Sequence, residues 1–342
     1  MDHLHAAVGA GAGAISGSAA SAAVSTLART RSAARVPEAV RPSAPAPVAN
    51  TAASPTSVRV REMRIVRLGA GVDATGWLSE EALQRTFEAA GAYAEQLRRH
   101  DVDRVRMVAT SASRDAGNRR AFAAGIRERL GIEPEVISGD EEARLSFAGA
   151  AAAVPQTAEG RSLVVDIGGG STEFVLGEAD GVIAARSLDI GSVRLTERYL
   201  SSNPPTEAQL RRLVEDVDAA VEATLETVPL DTATRLIGVA GSVTTVTARA
   251  LGLRRYDSQA VHGAELGIEE ITAAAGELTR MTREQRSDLE YMPIGREDVI
   301  GAGAQIWARI AQRIGELTEG RIRGAVTSEQ DILDGIALSL LS

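Results

Sequence analysis

The chain has 342 residues, of which 44% are hydrophobic, 24% charged and only 3% aromatic, and its net charge is −9. This length suggests two domains with aliphatic cores, and the negative field disfavours nucleic acid as a partner. Cysteine and lysine are both absent, which excludes disulfides, thiolate nucleophiles, a Walker-A lysine and Schiff-base chemistry.

Four histidines, His3, His5, His100 and His262, are too few and too scattered for a histidine metal cage or a triad. Carboxylates, arginine, hydroxyls, backbone amides and a hard cation remain for chemistry. No apolar run reaches the ~20 residues needed to span a bilayer, so no membrane partner and a cytoplasmic location are expected. Residues 1–57 are rich in Ala, Ser, Gly and Pro. They read as a disordered low-complexity tail, because such a composition buries too little apolar area to offset chain entropy.

Order is expected from residue 58. The stretch 58–68 largely alternates apolar with charged residues, as a half-exposed strand does. Ser79 is a plausible N-cap for a helix reaching His100. Strands follow at 102–109 and 134–137, and helices at 118–130 and 140–152. After a loop at 155–160, the apolar run 163–165 forms a strand ending in Asp166. Further strands are expected at 171–176, 182–188 and 236–240. Helices are expected at 207–227, 268–280, 283–289, 297–316 and 330–341. The alternation gives an α/β class in two lobes, an incomplete first lobe at 58–150 and a second at 151–342.

Four segments could carry chemistry. In VVDIGGGSTEF a buried strand delivers Asp166 to its end, and Gly168, Gly169 and Gly170 let the backbone aim amides at an anion. Ser171 and Thr172 add hydroxyls, and Asp166 can hold a cation that bridges phosphate oxygens. A structural Gly-rich hairpin would turn as tightly, although a carboxylate, Glu173, follows at once. In ISGDEEAR the acids stand in the first turn of a helix, where the helix dipole alone explains them. Near a metal-bound phosphate, one could instead serve as general base. ATSASRDAGN sets hydroxyls and Arg114 at a strand-to-helix junction, suited to an anion or merely to capping. GVAGSVTT repeats the pattern of strand, small loop and helix, for close packing or for a second anion loop.

These motifs, in this order and with IVRLGAGVDATGWLSEEAL, MPIGREDVIGAGAQIWARI and DILDGIALSLL, resemble the exopolyphosphatase/guanosine pentaphosphate phosphatase (Ppx/GppA) family. The resemblance runs from about residue 58 to the C-terminus and is to the short two-domain type. It implies a two-lobed actin/hexokinase-like (ribonuclease H-like) fold with the active site in the interlobe cleft, and a last helix that can return to the first lobe. It implies an Mg²⁺- or Mn²⁺-assisted hydrolase acting on polyphosphate or guanosine pentaphosphate, with a homodimer as the one assembly entertained. Carried over by motif, Glu142 is the general base and Glu173 the second catalytic acid. Asp166 is the metal-linked carboxylate, and Gly168, Gly169, Gly170 and Ser171 form the phosphate loop. Arg114 and Asn118 line the phosphate path, and Gly241 and Ser242 form the second loop. The family opens with a hairpin bearing D-x-G-[ST]-N-S, and nothing in 1–57 matches it. That departure implies a first lobe short of two strands and of one phosphate grip.

Overall fold

The computed structural model describes residues 58–100, 102, 104–153 and 160–340, and before them the strands β1 (His3–Gly9), β2 (Gly13–Ile15) and β3 (Ala22–Leu27). The first lobe continues with β4 (Val58–Ile65), α1 (Val72–Thr75), α2 (Glu80–Arg99), β5 (Arg104–Ala109), α3 (Ser111–Asp115), α4 (Arg119–Leu130) and β6 (Glu135–Val136). Helix α5 (Gly139–Ala153) leads into β7 (Ser162–Ile167), β8 (Thr172–Glu178) and β9 (Gly181–Leu188). Then come α6 (Ser192–Tyr199), α7 (Glu207–Leu225), β10 (Arg235–Val239), α8 (Ala240–Ala250) and α9 (Ser258–Val261). The chain closes with β11 (Glu265–Gly267), α10 (Ile268–Arg280), α11 (Arg283–Ser287), α12 (Ile300–Leu317), β12 (Gly324–Thr327) and α13 (Ile332–Ser339).

Two six-stranded sheets result, in the orders β4-β1-β2-β3-β5-β6 and β11-β12-β10-β7-β8-β9. The expectation of an unstructured tail is therefore corrected for three segments. His3–Gly9 pairs antiparallel with β4, and Ala22–Leu27 pairs antiparallel with β5. Composition misleads here because a strand is held by backbone hydrogen bonds, which small residues make as well as large ones. The first sheet is thus not short of two strands. The other residues of 1–57, and the expected loop at 155–160 apart from Gly160, lie outside the described residues.

The second lobe holds the larger core, an aliphatic cluster that includes Leu163, Val165, Leu236, Ile300 and Ile310 together with the buried Trp307. The first lobe packs Tyr93, Met107, Phe122 and Ile126 between α2, α4 and β5. Between the lobes, α5 lays Ala143, Phe147 and Ala150 on Val164, Val175 and Ile237 of the second sheet. Its Leu145 packs with Ile332 and Ile336 of α13, which also meet Val108 of the first sheet. The boundary is therefore not a point near residue 150 but a pair of crossing helices.

Two glycines permit that crossing. A Cβ on Gly149 would lie 1.9 Å from the Asp331 carbonyl oxygen, and one on Gly335 would lie 1.8 Å from that of Leu145. Backbone, unlike the tip of a long side chain, cannot step aside. Gly149→Ala is therefore expected to cost at least about 1–3 kcal/mol, the usual penalty of overpacking. Urea denaturation checks this, and a change within ~0.5 kcal/mol would show that the helices part freely.

Candidate active site

The register of the second sheet builds the site. Strand β7 is buried along its whole length and pairs antiparallel with β8 so that Asp166 stands directly opposite Glu173. Directly opposed residues lie on the same face, their Cβ atoms about 5 Å apart. Glu173 is in turn opposite Ser187 of β9, whose hydroxyl donates to its Oε1 at 2.7 Å. Helix α5 lies over these strands, and Gly139 lets its first turn close on them, since a Cβ there would be 2.8 Å from Ser187 Cβ. From that first turn comes Glu142, and one turn later Ser146 donates to Asp166 Oδ2 at 2.6 Å.

Glu142, Asp166 and Glu173 are 4%, 3% and 1% exposed, too little for water to carry their charge. Burial pushes Glu142 up, and the Arg114 guanidinium opposes that push. Arg114 on α3 donates through Nη1 to Glu142 Oε2 at 2.7 Å and to the Ile137 carbonyl at 3.0 Å. Burial lifts Asp166 to about 7, helped by Asp331 and Glu142. Glu173 is held well above the carboxylate range by burial and by the other two charges.

Between β7 and β8 runs the glycine loop. Its carbonyls are taken by α6: Ser192 N donates to Gly168 O at 2.8 Å, and Val193 N to Gly169 O at 2.9 Å. Gly168 N donates to Ser171 O at 2.9 Å, whereas the amides of Gly169 and Gly170 meet no protein acceptor among the described residues. Two such amides close to three acids form a cradle for an anion only if positive charge accompanies it.

The fit to a divalent cation rests on one atom. Asp166 Oδ1 is buried with no hydrogen-bond partner among the described residues. No three acidic or histidine side chains among the described residues converge tightly enough to enclose an ion unaided. Asp166 suits Mg²⁺ or Mn²⁺ as one carboxylate of a site completed by phosphate oxygens and water, the usual mode for Mg²⁺.

The other expected site residues divide. Gly241 faces a cavity of about 360 Å³ between the lobes, bordered by Met63, Tyr256, Tyr291, Arg296 and Asp331. A Cβ on Gly241 would strike the Arg296 guanidinium at 2.2 Å, so the glycine makes room for it. Ala240, just before it, takes a left-handed φ of 71°, a conformation that costs a non-glycine residue energy at a loop of this kind. Two placements need correction. Ser242 turns its hydroxyl against Gly303 of α12 rather than into the cavity. Asn118 spends both ends of its amide on Leu78, accepting from its N–H and donating to its carbonyl, each at 2.9 Å. Asn118 therefore staples a loop to the start of α4.

Sequence reading missed several participants. Asp331 caps α13 through Leu333 N at 2.9 Å, and burial raises it to about 6. Arg296 is 3% exposed, and burial lowers it to about 10. Its only signal was an Arg standing just after a Pro-Ile-Gly turn.

Fold and site together define a two-lobed α/β protein whose cleft sets an amide cradle among buried carboxylates. The chain belongs to the Ppx/GppA phosphatase family, whose model matches residues 48–337. It is 48% identical over 288 residues to "Exopolyphosphatase 2" of Mycobacterium tuberculosis, covering 82% of this chain and 88% of that protein. A crystal structure described as an exopolyphosphatase-like protein superposes with a TM-score of 0.82 at 38% identity, over 94% of this chain and 96% of that one. A Ppx/GppA family member from Aquifex aeolicus gives 0.69 at 26% identity, covering 99% and 98%. No helix among the described residues is long and apolar enough to cross a membrane.

Proposed function

We propose that the protein is an exopolyphosphatase, releasing the terminal phosphate of inorganic polyphosphate by attack of water. The observation that carries this reading is Glu142, a buried carboxylate oriented by Arg114, together with a loop whose Gly169 and Gly170 amides meet no acceptor among the described residues. Glu142 takes the proton of the attacking water, whose oxygen bonds to the terminal phosphorus. The bridging P–O bond breaks, giving orthophosphate and a chain one unit shorter. The amides of Gly169 and Gly170 hold the phosphoryl oxygens where charge builds up. Mg²⁺ or Mn²⁺, held by Asp166, would neutralise phosphate charge; Glu173 shapes the same pocket from the facing strand. Arg114 faces the base in this structure, so its part is to orient Glu142.

The 48% identity with a protein named as an exopolyphosphatase supports polyphosphate over guanosine pentaphosphate. The test is phosphate release from both compounds with Mg²⁺. Release chiefly from polyphosphate is expected. Release chiefly from guanosine pentaphosphate would reassign the substrate, and none from either would leave a catalytically impaired phosphate-binding protein.

A further inference from the structure

The residues above do not explain what fixes the phosphate loop relative to the base, since the two stand on different elements. Helix α6 touches the loop and, through Arg194, the short helix α3 that carries the partner of the base. A Cβ on its N-cap, Gly191, would lie 2.2 Å from the Gly169 carbonyl oxygen, so the helix start rests directly on the loop. From its first turn Arg194 donates its backbone N–H to Gly169 O at 3.0 Å and its side-chain Nε to Gly170 O at 2.7 Å. The rest of the same guanidinium reaches into the first lobe. Its Nη2 donates to Asp115 Oδ2 at 2.8 Å, and its Nη1 donates to Asp73 Oδ1.

Asp115 is the neighbour in sequence of Arg114, the residue that holds Glu142. One side chain, only 11% exposed, thus ties the loop that would cradle phosphate to the short helix that aims the base. The surroundings reinforce the tie: Arg198 also donates to Asp73, at 3.1 Å, and Glu197 accepts from Gly71 N at 3.0 Å.

We propose that Arg194 is a positioning residue that sets the register between the phosphate loop and the general base and holds the two lobes closed. It touches no substrate. A planar fork can satisfy a carbonyl and two carboxylates in fixed directions, which an ammonium cannot. The inference rests on the hydrolase reading for its kinetic arm and on geometry alone for its structural arm.

In the kinetic arm, Arg194→Ala and Asp115→Asn should each lower kcat for polyphosphate by about 10²-fold, with KM changed far less, as misplacement by roughly 1 Å does. The double variant should be no worse than either single, because both remove one link. Arg194→Lys should stay low. Full kcat in Asp115→Asn, or losses that multiply in the double variant, would overturn the proposal and leave Arg194 a local prop of the loop. The structural arm uses the absence of native cysteine. Spin labels on Glu88→Cys of α2 and Glu215→Cys of α7 report lobe separation without turnover. Arg194→Ala should broaden and lengthen that distance distribution, and an unchanged distribution sinks the proposal. Should the native chain release no phosphate, the functional reading falls, and this second arm still decides the clamp.

Discussion

Glu142→Gln is expected to reduce phosphate release at least ~100-fold, the low end of what a general base contributes. The substitution keeps size and shape, and its carbonyl oxygen can still accept from Arg114. What is lost is the capacity to take a proton, together with the negative charge that faces Arg114. Burial raises the Glu142 pKa above that of an ordinary glutamate, and the Arg114 guanidinium opposes the shift. Glu141→Gln is the control. It occupies the same helix turn but is only half-buried, pairing with Arg106 at 2.8 Å. If its position near the helix N-terminus were all that mattered, both variants would behave alike. Steady-state phosphate release at saturating polyphosphate separates the cases. Near-native turnover in Glu142→Gln would reassign that residue to helix capping and move the base elsewhere.

What was legible in the sequence was what is local in the chain. Asp166, the glycine loop and Glu173 lie on one hairpin, so reading VVDIGGGSTEF already fixes which residues face one another. Glu142 is legible at its helix start, whereas its partner Arg114 reads as a phosphate ligand, because no spacing rule says that α3 folds back onto α5. Asn118 failed for the same reason: Leu78, which consumes its amide, stands 40 residues away. Ser242 failed because a glycine on α12 leaves room for its hydroxyl. Strands β1 to β3 were invisible because Gly, Ala and Ser carry no apolar alternation, and sheet pairing needs none. Arg194 lay in plain view in GSVRLTERY; its importance comes from three acceptors on three separate segments.

Removing divalent cations should make stability fall as pH rises from about 4 towards 8. Asp166 has its pKa raised from 3.8 to about 7 by burial and by Asp331 and Glu142, and Asp331 is raised to about 6. Below 3.8 both the folded and unfolded chains carry the proton, and these sites cost nothing. Between 3.8 and about 7 the unfolded chain ionises while the fold keeps its proton, so each added pH unit favours unfolding. Above 7 the penalty is complete. For Asp166 alone it reaches roughly 4 kcal/mol as an upper limit, at about 1.4 kcal/mol per unit. Mg²⁺ bound at the bare Asp166 oxygen would offset that charge, so its stabilising effect should be large at pH 8 and small at pH 5. Urea unfolding in chelator and in Mg²⁺ at the two pH values reads both slopes. Asp166→Asn should flatten the pH dependence and abolish most of the Mg²⁺ shift, because a neutral amide neither costs a buried charge nor attracts the ion. An equal Mg²⁺ shift at both pH values, or an undiminished one in Asp166→Asn, would place the cation away from this carboxylate.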